Sequence, residues 1–525
     1  MPPAAPRRGT SLVLAVLGGL LTDAASPGLS WWPLAYVGIA LLVLALGRDS
    51  ARWNVLVGFV FGLAFFVPQL TWAGVAVGVV PWIGLAALQA GFVAALGGVW
   101  TLARRGPVPA STGWQVVAFA LLWVGVEEAR SVLPFGGFPW GRIAFSQADA
   151  PLAAWAWLGG APLVSGLVVV VGALLAAAVR HARRDPRSSL LAVLVGVAVV
   201  AGGLVVPLDT AAQAGTLEVG AVQGNVPDRG LDSFNQAREV LDNHVAGTWA
   251  LLDQVAPGEL DLVLWPENGA DIDPRVDAAA AADITAAAQG VGAPILVGTL
   301  EYPPSGGRYN VSVLWDPELG PVDVYAKQHP APFGEYIPLR DLARLVSPEV
   351  DRVRTDMLPG TEVGLIEMDS ARLGRTVGIG DVICFEVAYD DLVRDAVAAG
   401  GEILVVQTNN ATFGPTDESL QQLAMSRLRA IEHGRATVQI STVGVSAVIS
   451  PSGQVLAQTE LFTAEQMVES LPLRTALTPA SRWGDLVSWT LRVAALALTL
   501  VAVVRGTSLR RRSRAARQVA RADVS

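Results

Sequence analysis

Lysine and cysteine are almost absent from this chain. Among its 37 Lys and Arg residues only Lys327 is a lysine, so every other permanent side-chain cation is an arginine. The one cysteine, Cys384, excludes an internal disulfide, and cysteine count therefore says nothing about redox compartment. Histidine is scarce too. His181, His244, His329 and His433 lie far apart without metal-ligand spacing, which leaves a zinc site or a Ser-His-Asp arrangement unsupported. Charged residues make up only 16%, the net charge is −9, and no basic stripe occurs outside short loops and the tail, which argues against nucleic acid as the main partner.

Hydrophobic residues, by contrast, are abundant. They make up 52% of the 525 residues, and the mean hydropathy of +0.46 suits a protein partly in lipid. A bilayer crossing needs about 20 apolar residues. The first 207 residues carry seven candidate spans, at 10–23, 31–47, 54–73, 80–103, 114–133, 151–179 and 189–207, and an eighth runs over 484–504. Arginine placement orients them. Arg7 and Arg8 precede the first span, Arg48 and Arg52 follow the second, Arg104 and Arg105 the fourth, and Arg180, Arg183, Arg184 and Arg187 the sixth. The alternate short loops hold only Arg130 and Arg142. The positive-inside rule then puts the N-terminus, the even-numbered loops and the Arg-rich tail in the cytoplasm, and residues 208–483 on the outer side. A basic start and a short first apolar run also fit a cleaved signal peptide, but further spans follow at once and the topology closes without cleavage. The basic tail reads as a stop-transfer flank. Glu127 and Glu128, near the outer end of the fifth span, either mark function or sit at the interface beside Arg130.

Between 208 and 483 the pattern changes. Short runs rich in β-branched residues appear: LEVGAVQ (217–223), LDLVLW (260–265), APILVGTL (293–300), NVSVLWD (310–316), RTVGIGDVICF (375–385) and EILVVQTN (402–409). Helical stretches such as 276–289 and 417–433 separate several of them, which predicts an α/β domain with a buried sheet. VQISTVGVSAVIS (438–450) and SGQVLAQT (452–459) read as paired strands around Pro451-Ser452-Gly453. The expected organisation is a membrane domain over 1–207, a catalytic domain over 208–483, and a final membrane helix with a basic tail over 484–525.

Three motifs in the α/β part share one form: a hydrophobic run ends and a reactive residue follows. LVLWPEN leads to Glu267, VDVYAKQH to Lys327, and VGIGDVICFE to Cys384. In open α/β sheets, ligands collect at the carboxyl ends of strands, so the three side chains can face one pocket. Their chemistry is coherent. A free thiol is only a few per cent thiolate at neutral pH. A carboxylate can take its proton as general base. An ammonium can stabilise the thiolate and then the oxyanion formed on a carbonyl carbon. Lysine offers a compact charge with freely turning donors where arginine offers a rigid planar fork. Each motif alone has a plain structural reading: a buried small hydrophobe, a solvated charge, a turn residue. The three in this order point to catalysis.

WPE, then Lys with a downstream PFGE, then ICFE, resemble the nitrilase superfamily of carbon–nitrogen hydrolases, which implies a Glu–Lys–Cys triad in an αββα sandwich. KQHPAPFGEYIPLR (327–340), NNATFGPT (409–416), MSRLRAIEHGRATVQISTVGVSAVISPSG (425–453) and FGGFPWGRIAFSQ (135–147) resemble the apolipoprotein N-acyltransferase family, as does the layout of seven spans, outer domain and one span. The resemblance implies Glu267 as general base, Lys327 as charged stabiliser and Cys384 as nucleophile. It implies Glu335 and Glu386 as supporting acids, and Asn409, Asn410 and Phe413 as pocket lining. Arg427, Arg429, Glu432 and Arg435 read as a structural charge network on a helix. The sequence departs from the family pattern at Thr412, where Trp is common, at Phe385, where Tyr is common, and in the QHPA run after Lys327.

The expected function is therefore transfer of a fatty acyl chain from a phospholipid, through a Cys384 thioester, to the N-terminal amine of a diacylglyceryl-cysteine lipoprotein at a bacterial cell membrane. No metal or organic cofactor is required. Both substrates carry chains that leave lipid at a cost of about 0.8 kcal/mol per exposed CH₂, which gives the spans a purpose. The alternatives are a membrane-tethered amidase, a non-catalytic partner of a lipid-linked glycosyltransferase, and a transporter, for which no inverted repeat is found.

Overall fold

The computed structural model describes residues 6–106, 108–226 and 237–522. The first part is helical: α1 (Arg8–Ala24), α2 (Pro33–Ala45), α3 (Ala51–Gln69), α4 (Thr71–Val77), α5 (Val79–Arg105), α6 (Thr112–Arg130), α7 (Ala156–His181) and α8 (Pro186–Ala201). A helix stands at each of the seven places where a span is expected, and α4 is a short addition. Among the described residues, five segments are long and apolar enough to cross a membrane: Ala51–Gln69, Val79–Arg105, Pro151–His181, Pro186–Val205 and Pro479–Arg505. The helices α1 and α2 are shorter, with 17 and 13 residues. In α6 the last turns carry Glu127, Glu128 and Arg130.

The chain then alternates: β1 (Thr216–Gln223), α9 (Ala237–Ala250), β2 (Leu262–Leu264), α10 (Ala278–Val291), β3 (Ile295–Glu301), β4 (Tyr309–Asp316), β5 (Gly320–Ala326), α11 (Arg340–Val346), β6 (Leu365–Ser370), β7 (Arg375–Ile383), α12 (Asp390–Ala398), β8 (Ile403–Thr408), α13 (Glu418–His433), β9 (Thr437–Ser441), β10 (Ala447–Ile449), β11 (Val455–Gln458), β12 (Glu465–Pro472) and α14 (Pro479–Ala522). Two six-stranded sheets result, in the orders β12-β1-β2-β3-β4-β5 and β11-β10-β9-β8-β7-β6. In each, a parallel centre (β1-β2-β3 and β7-β8-β9) is flanked by antiparallel strands.

The period-2 pattern decides which face each strand buries. Leu262 and Leu264 point into the layer between the sheets, where they meet Ile379, Ile383, Val405 and Ile440 of the second sheet. Val263 and Trp265 point the other way, onto Ile284, Ala287 and Val291 of α10. Asp277 caps α10 by accepting from Ala279 N and Ala280 N, which satisfies two otherwise free helix donors. The outer face of the second sheet (Val382, Leu404, Val406) packs on α12 and α13. Their Val393, Met425, Leu428 and Ile431 belong to the same buried cluster as Val164 and Val168 of α7. The helical layer of the sandwich is thus shared with the apolar bundle.

One local expectation is corrected here. The run 438–450 is not one strand paired to the next run. It folds back on itself as β9 and β10, with Ala447 opposite Gln439, and β10 then pairs with β11. Ser441 Oγ accepts from Gly444 N at 2.8 Å and so closes the turn that splits the run. Arg130 donates to the carbonyls of Phe138 and Trp140, while Glu128 pairs with Arg142 at 2.9 Å and with Arg492 of α14 at 2.6 Å. Arg142 reaches Asp390 at 2.6 Å, Asp390 reaches Arg429 at 2.7 Å, and Arg429 reaches Glu432 at 2.5 Å. Two helices of the bundle are thereby tied to α12 and α13. Arg427 pairs with Asp149, and Arg435 donates to carbonyls rather than to an acid.

Candidate active site

The ends of β2 and β5 in one sheet and of β7 in the other meet over a small region. Glu267 follows β2 after Trp265 and Pro266. Gly298 on β3 permits this turn, because a Cβ there would meet Pro266 O at 2.3 Å. Lys327 follows β5, with its backbone N bonded to Asn310 O. Its side chain is 1% exposed and its Nζ donates to Glu335 Oε1 at 2.7 Å and to Glu267 Oε1 at 3.3 Å. Asn310 of β4 donates from Nδ2 to Glu267 Oε1 at 2.5 Å. Glu335 Oε2 accepts from Ala331 N at 2.6 Å, which fixes the loop that follows Lys327.

Cys384 sits where β7 turns into a 3-10 helix over Cys384–Ala388. Its φ is +55°, a left-handed conformation that costs a residue with a Cβ about 1–2 kcal/mol. Two buried groups hold that turn. Arg429 Nε and Nη2 donate to Val387 O and Ala388 O at 2.9 and 3.0 Å. Glu386 accepts from Ile383 N (2.8 Å), Gln328 N (2.7 Å), His329 N (3.0 Å) and the Tyr325 hydroxyl (2.9 Å). One carboxyl therefore ties the segment after Lys327 to the residue before Cys384. Glu386 does not touch the sulfur; it sets the distance between the two strand ends.

The electrostatics follow from burial. Burial pushes the Cys384 thiol up, Glu267 and Glu418 push the same way, and Lys327 opposes them, so the resting sulfur is protonated. Burial also raises Glu267, against the pull of Lys327, which makes it a stronger base than an exposed carboxylate. Burial works against the Lys327 charge, but Glu267, Glu335, Cys384 and Glu386 outweigh it, and the ammonium is held well above the ordinary lysine range. The arrangement combines a protonated thiol, a raised base and a fixed cation, which suits a thiolate formed only when an acceptor carbonyl is in place.

Of the other expected residues, Asn409 donates to Asn268 Oδ1 at 3.5 Å, and Phe413 packs edge-on against Trp72 of α4 at 5.1 Å. Asn410 is buried and bonded to Glu418, Gln422 and Ser441, so it stands behind the pocket wall. Phe385, beside the sulfur, stacks on Trp140 with ring centres 5.7 Å apart, and lies 5.7 Å from Phe138. Trp72, Phe138 and Trp140 come from the helical half, so aromatic rings of the apolar bundle pack on the residue that follows Cys384. Tyr389 adds a hydroxyl bond to Gly137 O at 3.2 Å, and its ring lies 4.2 Å from His329. The reading of the sequence passes over Asn310, Thr408, Gln422 and Glu418. The one local signal for Asn310 and Thr408 is a polar residue within a fully buried apolar run.

Two facing sheets wrapped by helices, with Glu, Lys and Cys brought together from the ends of three strands, define a sandwich of the nitrilase superfamily. Residues 220–477 match the carbon-nitrogen hydrolase family, and residues 18–174 match the apolipoprotein N-acyltransferase N-terminal domain. The chain is 40% identical to an apolipoprotein N-acyltransferase of Mycolicibacterium smegmatis, over 96% of this chain and 88% of that one. It is 29% identical to one of Geobacter metallireducens (97% of each chain) and 30% identical to one of Pseudomonas syringae pv. tomato (93% and 95%). A solved amidase from Nesterenkonia sp. is 18% identical, with 51% of this chain and 94% of that chain covered and a TM-score of 0.37. The chain belongs to the apolipoprotein N-acyltransferase family.

Proposed function

We propose that this protein moves a fatty acyl chain from a phospholipid to the α-amino group of a diacylglyceryl-cysteine lipoprotein, by way of Cys384. The observation that carries the assignment is the contact of Lys327 with both Glu267 and Glu335 beside a sulfur that also feels Glu267 and Lys327. Glu267 takes the proton from Cys384 Sγ. The sulfur attacks the ester carbonyl carbon, and Lys327 stabilises the negative oxygen. The carbon–oxygen ester bond breaks, the leaving alkoxide receives the proton from Glu267, and a thioester remains. In the second half, the amine nitrogen attacks the thioester carbonyl and gives its proton to Glu267. The carbon–sulfur bond breaks and the thiol is restored.

The family's match and the packing of bundle aromatics (Phe138, Trp140) on Phe385, the residue after Cys384, support a lipid substrate. The arginine distribution supports a catalytic domain over 208–483 on the outer side of a bacterial cell membrane, between a membrane domain over 1–207 and a last helix with its tail over 484–525. The test is mass spectrometry after exposure to phospholipid. The expected result is an acyl mass on Cys384 that hydroxylamine removes and a lipoprotein-like amine discharges into an N-acyl product. Release of free fatty acid with no transfer to amine would identify a hydrolase instead, and full activity of Cys384→Ala would overturn the assignment.

A further inference from the structure

The sulfur of Cys384 has two polar neighbours that the scheme above does not use. Thr408 Oγ1, at the end of β8, lies 3.4 Å from Sγ, and Gln422 Nε2, on α13, lies 3.7 Å from it. Both residues are fully buried. Thr408 has a single hydroxyl proton and two candidate acceptors, because Gln422 Oε1 lies 2.8 Å from the same oxygen. While sulfur holds its proton, the hydroxyl donates to Gln422 Oε1. Once Glu267 removes that proton, sulfur becomes the stronger acceptor and the hydroxyl turns to it.

The Gln422 amide can help only if its NH₂ faces the sulfur, and a relay of buried groups decides that. Gly444 N donates to Ser441 Oγ at 2.8 Å, which leaves the serine proton for Asn410 Oδ1 at 2.6 Å. Asn410 Nδ2 then donates to Glu418 Oε2 at 2.6 Å and to Gln422 Oε1 at 3.0 Å. With Gln422 Oε1 engaged by donors, its Nε2 is left for sulfur. The fit is tight, since a Cβ on Gly444 would meet Asn410 Oδ1 at 2.1 Å.

We propose that Thr408 and Gln422 form a thiolate-receiving donor pair for Cys384, with Asn410 as the positioning residue that orients the Gln422 amide. The proposal rests on the assignment of Cys384 as nucleophile. Burial raises the Glu418 carboxyl to about 8, so at neutral pH the negative charge with which it pushes the Cys384 thiol up is only partial.

The single cysteine makes the test direct. Alkylation of the full-length protein in detergent with iodoacetamide, followed over pH, reports the thiolate of Cys384 alone. Thr408→Val and Gln422→Leu should each shift the alkylation profile to higher pH and lower the rate at pH 7 by about tenfold, the size of one lost bond to a charged acceptor. Asn410→Asp, which cannot donate to Gln422, should shift it in the same direction. Thr408→Ser returns the hydroxyl and should recover at least part of the rate lost in Thr408→Val, which a mere packing role would not require. Thermal midpoints near that of the parent identify the variants whose profiles count, and Thr408→Ala serves if Thr408→Val does not fold. Parent-like profiles in Thr408→Val and Gln422→Leu would overturn the proposal while acylation of Cys384 still stood. Acyl transfer by Cys384→Ala would overturn the underlying assignment instead.

Discussion

Lys327→Arg keeps the charge at the one position where this chain uses lysine, so it isolates geometry from charge. The ammonium has three donors. One is bonded to Glu335 at 2.7 Å and one points to Glu267 at 3.3 Å, which leaves one for sulfur or the oxyanion. A guanidinium brings five N–H groups in a fixed fork. Three can find those same acceptors, and two are left buried in a site where the native side chain is 1% exposed. Each unmatched buried donor costs about 1–3 kcal/mol, together about 2–6 kcal/mol. If that falls on the transition state, acyl-enzyme formation slows by roughly 30-fold to 25,000-fold. Lys327→Met is the companion: it leaves Glu267 and Glu335 without their shared cation, and a broken buried pair costs about 3–5 kcal/mol of stability. The assay is the single-turnover rate of Cys384 acylation from phospholipid by mass spectrometry, with thermal midpoints alongside. A Lys327→Arg variant that acylates within about threefold of the parent, at an unchanged midpoint, would refute the reasoning.

Glu386→Gln places an amide NH₂ against three backbone N–H groups that can only donate, with the Tyr325 hydroxyl alone able to turn and accept. The expected outcome is a loss of about 1–3 kcal/mol per conflicting donor, seen as a lower thermal midpoint, together with slower acylation of Cys384; parent-like values for both would show that Glu386 does not hold the two strand ends. Asp390→Asn removes the anion between Arg142 and Arg429. Unfolding followed in detergent should show a loss of about 3–5 kcal/mol, and an unchanged midpoint would mean that the link between bundle and sandwich contributes little. His244 is buried with Nε2 accepting from Gly224 N, and burial lowers its pKa to about 4. The unfolded chain binds this proton below about 6.5 while the folded chain stays neutral down to about 4, so stability is complete above that window and falls as pH drops through it. The loss approaches about 3 kcal/mol, and thermal midpoints from pH 7 to 4 should fall less steeply in His244→Gln than in the parent.

How far the sequence could be read depended on where each signal lay. Long apolar runs and arginine placement are local, so every expected span coincides with a helix. The central strands were legible for the same reason: both their faces are buried, and LDLVLW or EILVVQTN carries an unbroken apolar stretch of four residues. The strands β6 and β12 were not. They are sheet edges; β6 buries only alternate residues and β12 only Met467 and Leu471, so LIEMDS and EQMVESLP look polar. Glu386 was noticed only through a resemblance, because nothing next to it announces that its acceptors serve Gln328 and His329, 58 and 57 residues away.

By itself, the amino-acid order determined that this chain divides into a lipid-soluble part and an α/β part, and that Glu267, Lys327 and Cys384 each stand where a strand stops. Hydrophobic periodicity acts over a few residues, so it needs no partner to be read. Only the tertiary structure decided what these residues face. Strand order within one sheet brought the Lys327 ammonium to Glu267, the pairing of β7 with β8 and the packing of α13 brought Thr408 and Gln422 to the sulfur, and the packing of one sheet on the other brought Glu386 to the loop after Lys327. Folding also set Trp140 of the helical half against Phe385. Those contacts join residues tens to hundreds of positions apart, and their energies arise from burial, which has no value until the two layers close and exclude water.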